Sequence, residues 1–234
     1  MQGKIVGEMI IRLLKLIIEL LSKQVKKGRE AKELREEGPV NINVPNKEEI
    51  VKKLSPLDQV AIDLEVDNKL IKAFIDVESG RYHKFDGQLV INYEAHYFKK
   101  FSGIVVPDRN IIRGDGLNQE DEWRNFIEAR GKEEEAAYKS ISMGKTQIMG
   151  ANHKILGYKS AKLMFEAFDK TEDNAIYGFG SFVKAHRGLL KACRTKDYHK
   201  MAYYYNGKAY KKYKDSKGRT YADKIREAYE ALCV

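Results

Sequence analysis

DNKLIKAFIDVESG, residues 67–80, is the stretch on which the reading of this chain turns. Asp67 can cap a helix whose apolar positions Leu70, Ile71, Phe74, Ile75 and Val77 recur at helical spacing. That pattern puts Glu78 at the C-terminal end, so a buried helix delivers a carboxylate to a surface opening. Just upstream, Ser55-Pro56 starts a helix through Leu64, and Asn46 with Glu49 three residues on makes a capping-box-like start. Downstream of Gly80 the texture changes to short alternating runs. Residues 82–85 and 88–93 flank Asp86-Gly87, which predicts a small hairpin.

Residues 102–135 are long, charged and weakly patterned, punctuated by Gly103, Gly114, Gly116 and Gly131. A connection of that length is more often functional or mobile than inert. Helical patterns return from Ala136: one after Gln147, then 161–168, 174–184, 189–193, 198–205 and 221–232. The fold class is mostly α, of the α+β kind, with one hairpin.

The first residues follow a different rule. Residues 5–37 form one long helical pattern in which Glu8, Arg12, Lys15, Glu19, Lys23 and Lys26 make a single polar stripe in an otherwise Ile- and Leu-rich surface. These charges interrupt the apolar run of roughly 20 residues that a bilayer demands. Three readings remain open: a self-associating helix, an interfacial helix on an anionic membrane, and a helix docked on the chain's own domain. Gly38-Pro39 ends it. The expected organisation is an amphipathic helix over 1–38, a linker over 39–46 and a globular domain over 47–234. Glu8 and Glu19 inside the apolar start, with no small-residue cleavage site after it, argue against a cleavable signal peptide. The expectation is synthesis in the cytoplasm, with export or release depending on something else.

With 234 residues, 43% of them hydrophobic, the chain can bury one main core. Its 43 Lys and Arg against 34 Asp and Glu give a net charge of +9, which suits polyanions. Nucleic acid is not expected, because zinc spacings, RNP-like runs and helix-turn-helix signatures are missing and the basic residues interleave with acidic ones. Cys193 and Cys233 lack metal-type spacing and read as free thiols. The five histidines show no ligand spacing either, so neither metal nor cofactor is expected.

Three elements carry chemistry. Glu78 follows Phe74, Ile75 and Val77 and precedes Tyr82, Phe85, Tyr93, Tyr97 and Phe98, an apolar setting that raises a carboxyl's pKa and keeps it protonated, as glycoside cleavage requires. The plainer alternative is a helix-end carboxylate with a local hydrogen bond. In residues 140–149, Gly144 allows close approach, Gln147 offers donor and acceptor to an acetamido sugar, and Met149 can support an apolar sugar face. Tyr205-Asn206-Gly207 adds a phenol and an amide at a helix end, and Tyr203, Tyr204 and Tyr205 cannot all face one core.

In that order, Val77-Glu78-Ser79-Gly80, Tyr93-Glu94-Ala95-His96-Tyr97-Phe98, residues 140–152 and Tyr205-Asn206-Gly207 resemble the N-acetylmuramidase domain of bacteriophage endolysins. That domain belongs to the lysozyme-like superfamily of goose-type lysozymes and lytic transglycosylases. The resemblance runs from about residue 48 onward and implies a lysozyme-like helical fold with a hairpin beside the cleft. It implies hydrolysis of the β-1,4 bond between N-acetylmuramic acid and N-acetylglucosamine in peptidoglycan, hence bacterial lysis after holin-dependent access to the wall. Glu78 would be the general acid, with Glu94 as a candidate second carboxylate. Gln147, Met149, Ser142, Asn152, Tyr93, His96, Tyr205 and Asn206 would meet the sugar. Arg81, where Gly is frequent, Tyr93, where Phe is common, and Lys145, where an apolar residue is usual, depart from the pattern. A structural partnership of Glu94 with His96 is the alternative to a catalytic one. Lytic transglycosylase chemistry with a single acid, a non-catalytic wall-binding module and a membrane-active protein are the competing functions.

Overall fold

The computed structural model describes residues 54–78, 82–107 and 119–234. The expected N-terminal helix, the linker and the Asn46 cap lie outside these residues, as do Ser79, Gly80, Arg81 and residues 108–118. Ten α-helices and five short strands make up the described chain.

Helix α1 (Pro56–Leu64) starts where Ser55 accepts from the Asp58 amide, with Pro56 in the first turn. It stops at Glu65, which adopts a left-handed φ of 54°. Helix α2 (Asn68–Glu78) buries Leu70, Ile71, Ala73, Phe74 and Ile75 and ends on Glu78. Strands β1 (Lys84–Phe85) and β2 (Gln88–Leu89) pair across the two-residue loop Asp86-Gly87, both at positive φ, as a twisted hairpin requires.

A second sheet was not evident from the sequence. Strand β3 (Ile91–Tyr93) pairs with β4 (Ile141–Met143), which pairs with β5 (Ile148–Met149), all antiparallel. The segment expected to open a helix after Gln147 is therefore a strand followed by a 3-10 turn (Gly150–Asn152). Helix α3 (Ala95–Ser102) follows β3 directly. Helices α4 (Gln119–Lys132) and α5 (Glu134–Lys139) occupy the second half of what reads as an unpatterned connection. The reason is visible in α4, whose inward face is partly polar. Gln119 donates to the Ile91 carbonyl and accepts from its amide, both at 2.9 Å, and Glu122 accepts from the Tyr93 amide at 2.6 Å. Side chains of α4 thus satisfy the outer edge of β3.

The remaining helices are α6 (Ala161–Lys170), α7 (Glu172–Ala185), α8 (Arg187–Thr195), α9 (Tyr198–Asn206) and α10 (Tyr221–Ala231), each within a few residues of expectation. Helix α10 opens with a Thr220–Asp223 capping box and packs extensively along α2. One aromatic knot centres on Phe74, with Phe179, Tyr205 and Tyr221 around it. Another joins Trp123, Phe126, Tyr138 and Phe165 beneath α4. Among the described residues no helix is long and apolar enough to cross a membrane, and both cysteines are free.

Candidate active site

Phe74 lies one turn before Glu78 on α2, and the rings around it make the neighbourhood of the carboxyl group apolar. Tyr205, Phe179 and Tyr221 approach Phe74 with centroids at 4.9, 5.3 and 6.2 Å. Glu78 as a residue is half-buried, yet its Oε1 is closed off from solvent and has no hydrogen-bond partner among the described residues. Burial pushes its pKa up to about 8, and the positive charge of Lys224 on α10 opposes that rise. The group therefore carries its proton at neutral pH.

Thr146 Oγ1 and Tyr221 Oη are likewise buried and unpartnered among the described residues. Buried polar atoms in native proteins are nearly always bonded, so such orphans call for a functional account. Tyr205 connects Thr146 to Glu78. Its Oη donates to the Thr146 carbonyl at 2.6 Å, and its pKa is raised by burial and by the charge on Glu78. Lys224 Nζ lies 5.6 Å from the Tyr221 ring centroid.

Thr146 belongs to the turn between β4 and β5, and this turn leads to the sheet. Asn92, Ser142 and Met149 stand in one row across the three strands, while Ile91, Tyr93, Ile141, Met143 and Ile148 are buried on the core side. Gln147, held at φ 48°, accepts from Ser142 Oγ at 2.8 Å and donates to the Gly144 carbonyl at 2.9 Å. Asn92 Nδ2 donates to Glu94 Oε1 at 2.7 Å, and Glu94 Oε2 lies 3.4 Å from His96 Nδ1. Contacts and chain neighbours thus run continuously from Glu78 through Tyr205, Thr146, Gln147, Ser142 and Asn92 to Glu94.

Most of the residues named from sequence fall along this line. Gln147 keeps one lone pair and one N–H beyond its internal bonds, so it is pre-oriented and still able to meet an amide. Met149 and Asn152 are half-buried at the end of β5 and in the turn after it. His96 and Asn206 are exposed, and Asn206 is the last residue of α9. Tyr93 is a correction. It is 2% exposed, with its ring against Phe98 and its hydroxyl toward the Val106 carbonyl, because strand alternation turns it to the core. Tyr205 spends its hydroxyl on the backbone of the turn, and the exposed members of its aromatic run are Tyr203 and Tyr204. Asn92, Thr146, Tyr221 and Lys224 went unnoticed in the sequence. For Asn92 the alternation Ile91-Asn92-Tyr93-Glu94 was a usable signal; for the others, which meet only in three dimensions, there was none. Among the described residues no group of His, Cys, Asp or Glu could hold a metal ion.

A helical domain with a short antiparallel sheet, and a protonated carboxyl at the end of a buried helix, defines a lysozyme-like architecture. A family model described as N-acetylmuramidase matches residues 67–233, and the chain belongs to that family. Among solved structures it is similar to the crystal structure of Burkholderia AP3 phage endolysin, with 29% identity and a TM-score of 0.64 over 76% of this chain and 69% of that chain. A search of the curated proteins gives no match. The chain is accordingly a peptidoglycan hydrolase of the endolysin type.

Proposed function

We propose that the chain hydrolyses the β-1,4 bond between N-acetylmuramic acid and N-acetylglucosamine, with Glu78 as the general acid. The observation that carries this reading is the sealed, unpartnered Oε1 of Glu78 in an apolar wall. With a pKa of about 8 the carboxyl is protonated by about ten to one at pH 7, ready to protonate a leaving glycosidic oxygen. Ser142, Gln147, Met149, Asn152, His96, Asn206 and the Tyr205 ring are the sugar contacts in this reading, and Tyr93 is not among them. Likeness to a phage endolysin supports action on the bacterial wall after release from the cytoplasm.

Glu78→Gln is the test. It keeps shape and hydrogen bonding but cannot give up a proton, and is expected to lower kcat on purified peptidoglycan by about 100-fold or more. Lysis at the wild-type rate would sink the assignment. The wild-type rate should also fall as pH rises through about 8, where Glu78 loses its proton.

One observation favours a second reading, lytic transglycosylase chemistry with a single acid. Among the described residues the charged side chain acting on Glu78 is Lys224, not a carboxylate. Mass spectrometry of the digest separates the two readings, because an anhydro-sugar product is lighter by one water.

A further inference from the structure

We propose that His83, as a neutral imidazole, is the positioning residue that holds the turn carrying Thr146 and Gln147 in its working shape. This rests on the reading above, in which that turn meets the glycan. His83 is buried at 8% exposure just before β1, and both ring nitrogens are engaged. Nε2 lies 2.8 Å from the Phe168 carbonyl at the end of α6, and Nδ1 accepts from the Lys145 amide at 3.2 Å. A carbonyl can only accept and an amide N–H only donate, so both bonds exist in one form alone: proton on Nε2, lone pair on Nδ1.

The turn is fitted to this ring. Gly144 sits at φ 65°, and a Cβ there would come within 3.0 Å of both Cε1 and Nδ1 of His83. The Gly144 amide donates to the Val90 carbonyl at 2.7 Å. From the Lys145 amide the turn continues to the Thr146 carbonyl, which receives Tyr205, and to Gln147, which receives Ser142. One ring therefore ties α6 to the segment that links the two halves of the site.

A proton on Nδ1 would set N–H against N–H and break the hold on Lys145. The charged groups facing the ring are Lys145 on the turn, Lys84 on β1 and Glu172 on α7. Glu172 is itself paired with Lys145 at 2.7 Å, and Lys84 with Asp169 at 2.8 Å. Burial is the largest influence and lowers the proton affinity of His83 below the ordinary imidazole value. The folded-state pKa is depressed, so the clamp is intact above the unfolded value of 6.5 and is lost as pH falls through the folded value. Glu78 keeps its proton throughout that window. The acid side of the pH profile should thus appear in KM and the alkaline side in kcat.

The experiment measures kcat and KM on solubilised peptidoglycan between about pH 5 and pH 8, with melting temperatures alongside. In the wild type KM should rise about tenfold on the acid side, the size expected for one buried hydrogen bond left unmade. His83→Asn keeps a pH-independent acceptor for the Lys145 amide and should flatten that rise. His83→Leu should raise KM about tenfold at every pH, with kcat largely kept. An acid limb in the KM of His83→Asn equal to that of the wild type overturns the proposal, as does a wild-type KM in a folded His83→Leu. If the leucine variant does not fold, the asparagine profile decides alone. Gln147→Ala is the separate arm: an unchanged KM there refutes the placement of the glycan, whereas a raised KM beside pH-insensitive wild-type binding refutes the role of His83 only.

Discussion

Glu78 and Tyr205 bear on stability as well as on the proposed chemistry. Raising the Glu78 pKa from 4.5 to about 8 means that the folded state resists ionisation. The associated stability is fully present below about pH 4.5 and is lost as pH rises through about 8. Glu78→Gln lacks this loss, so its melting temperature should exceed that of the wild type by more at pH 8 than at pH 5, as differential scanning calorimetry would show. Tyr205 works in the other direction. Tyr205→Phe keeps the ring against Phe74 but leaves the Thr146 carbonyl without its 2.6 Å donor. The expected cost is about 1 kcal/mol, or a melting temperature lower by about 2–4 °C, with KM rising severalfold. Unchanged melting and KM would show that the phenol is dispensable.

Elements reveal how much of this was written in the sequence. Helix α2 was legible because its apolar positions and its acid lie on one continuous pattern, and the β1–β2 hairpin because Asp86-Gly87 names its own turn. The second sheet was not, since β4 and β5 are three and two residues long and β4 gains its partner β3 from nearly 50 residues away. Helix α4 hid for a related reason: Gln119 and Glu122 face inward to serve a strand edge, which spoils the hydrophobic period a helix normally shows. Gly144 reads from the sequence as a glycine of close approach, but Gly150 has a harder task. A Cβ there would lie 2.0 Å from the Tyr138 carbonyl oxygen, so α5 and the start of the 3-10 turn meet backbone to backbone. Gly150→Ala should destabilise the fold by about 2–3 kcal/mol or more, read from urea titration. A loss under about 0.5 kcal/mol would mean that this contact relaxes freely.

At the scale of the whole molecule, the groups of the site range from Glu78 to Lys224, and the N-acetylmuramidase match spans 67–233. Removal of residues 1–38 should therefore leave turnover of soluble peptidoglycan fragments within about twofold of the full chain. Intact cells and sedimentation then probe the amphipathic segment separately. Reduced killing with retained turnover would support a membrane role for it, and a smaller assembly on truncation would support self-association. A tenfold loss on soluble fragments would instead draw that segment into the catalytic machinery.

The pairing of α2 with α10 also bears on how the protein is made. The helix carrying Glu78 leaves the ribosome well before Tyr221, Lys224 and Ile225, which lie on the helix packed along it. A nascent chain arrested just before the Thr220–Asp223 cap would lack the part of the wall around Glu78 that α10 supplies. The wall around Glu78 is thus complete only once α10 has been made and has folded back along α2.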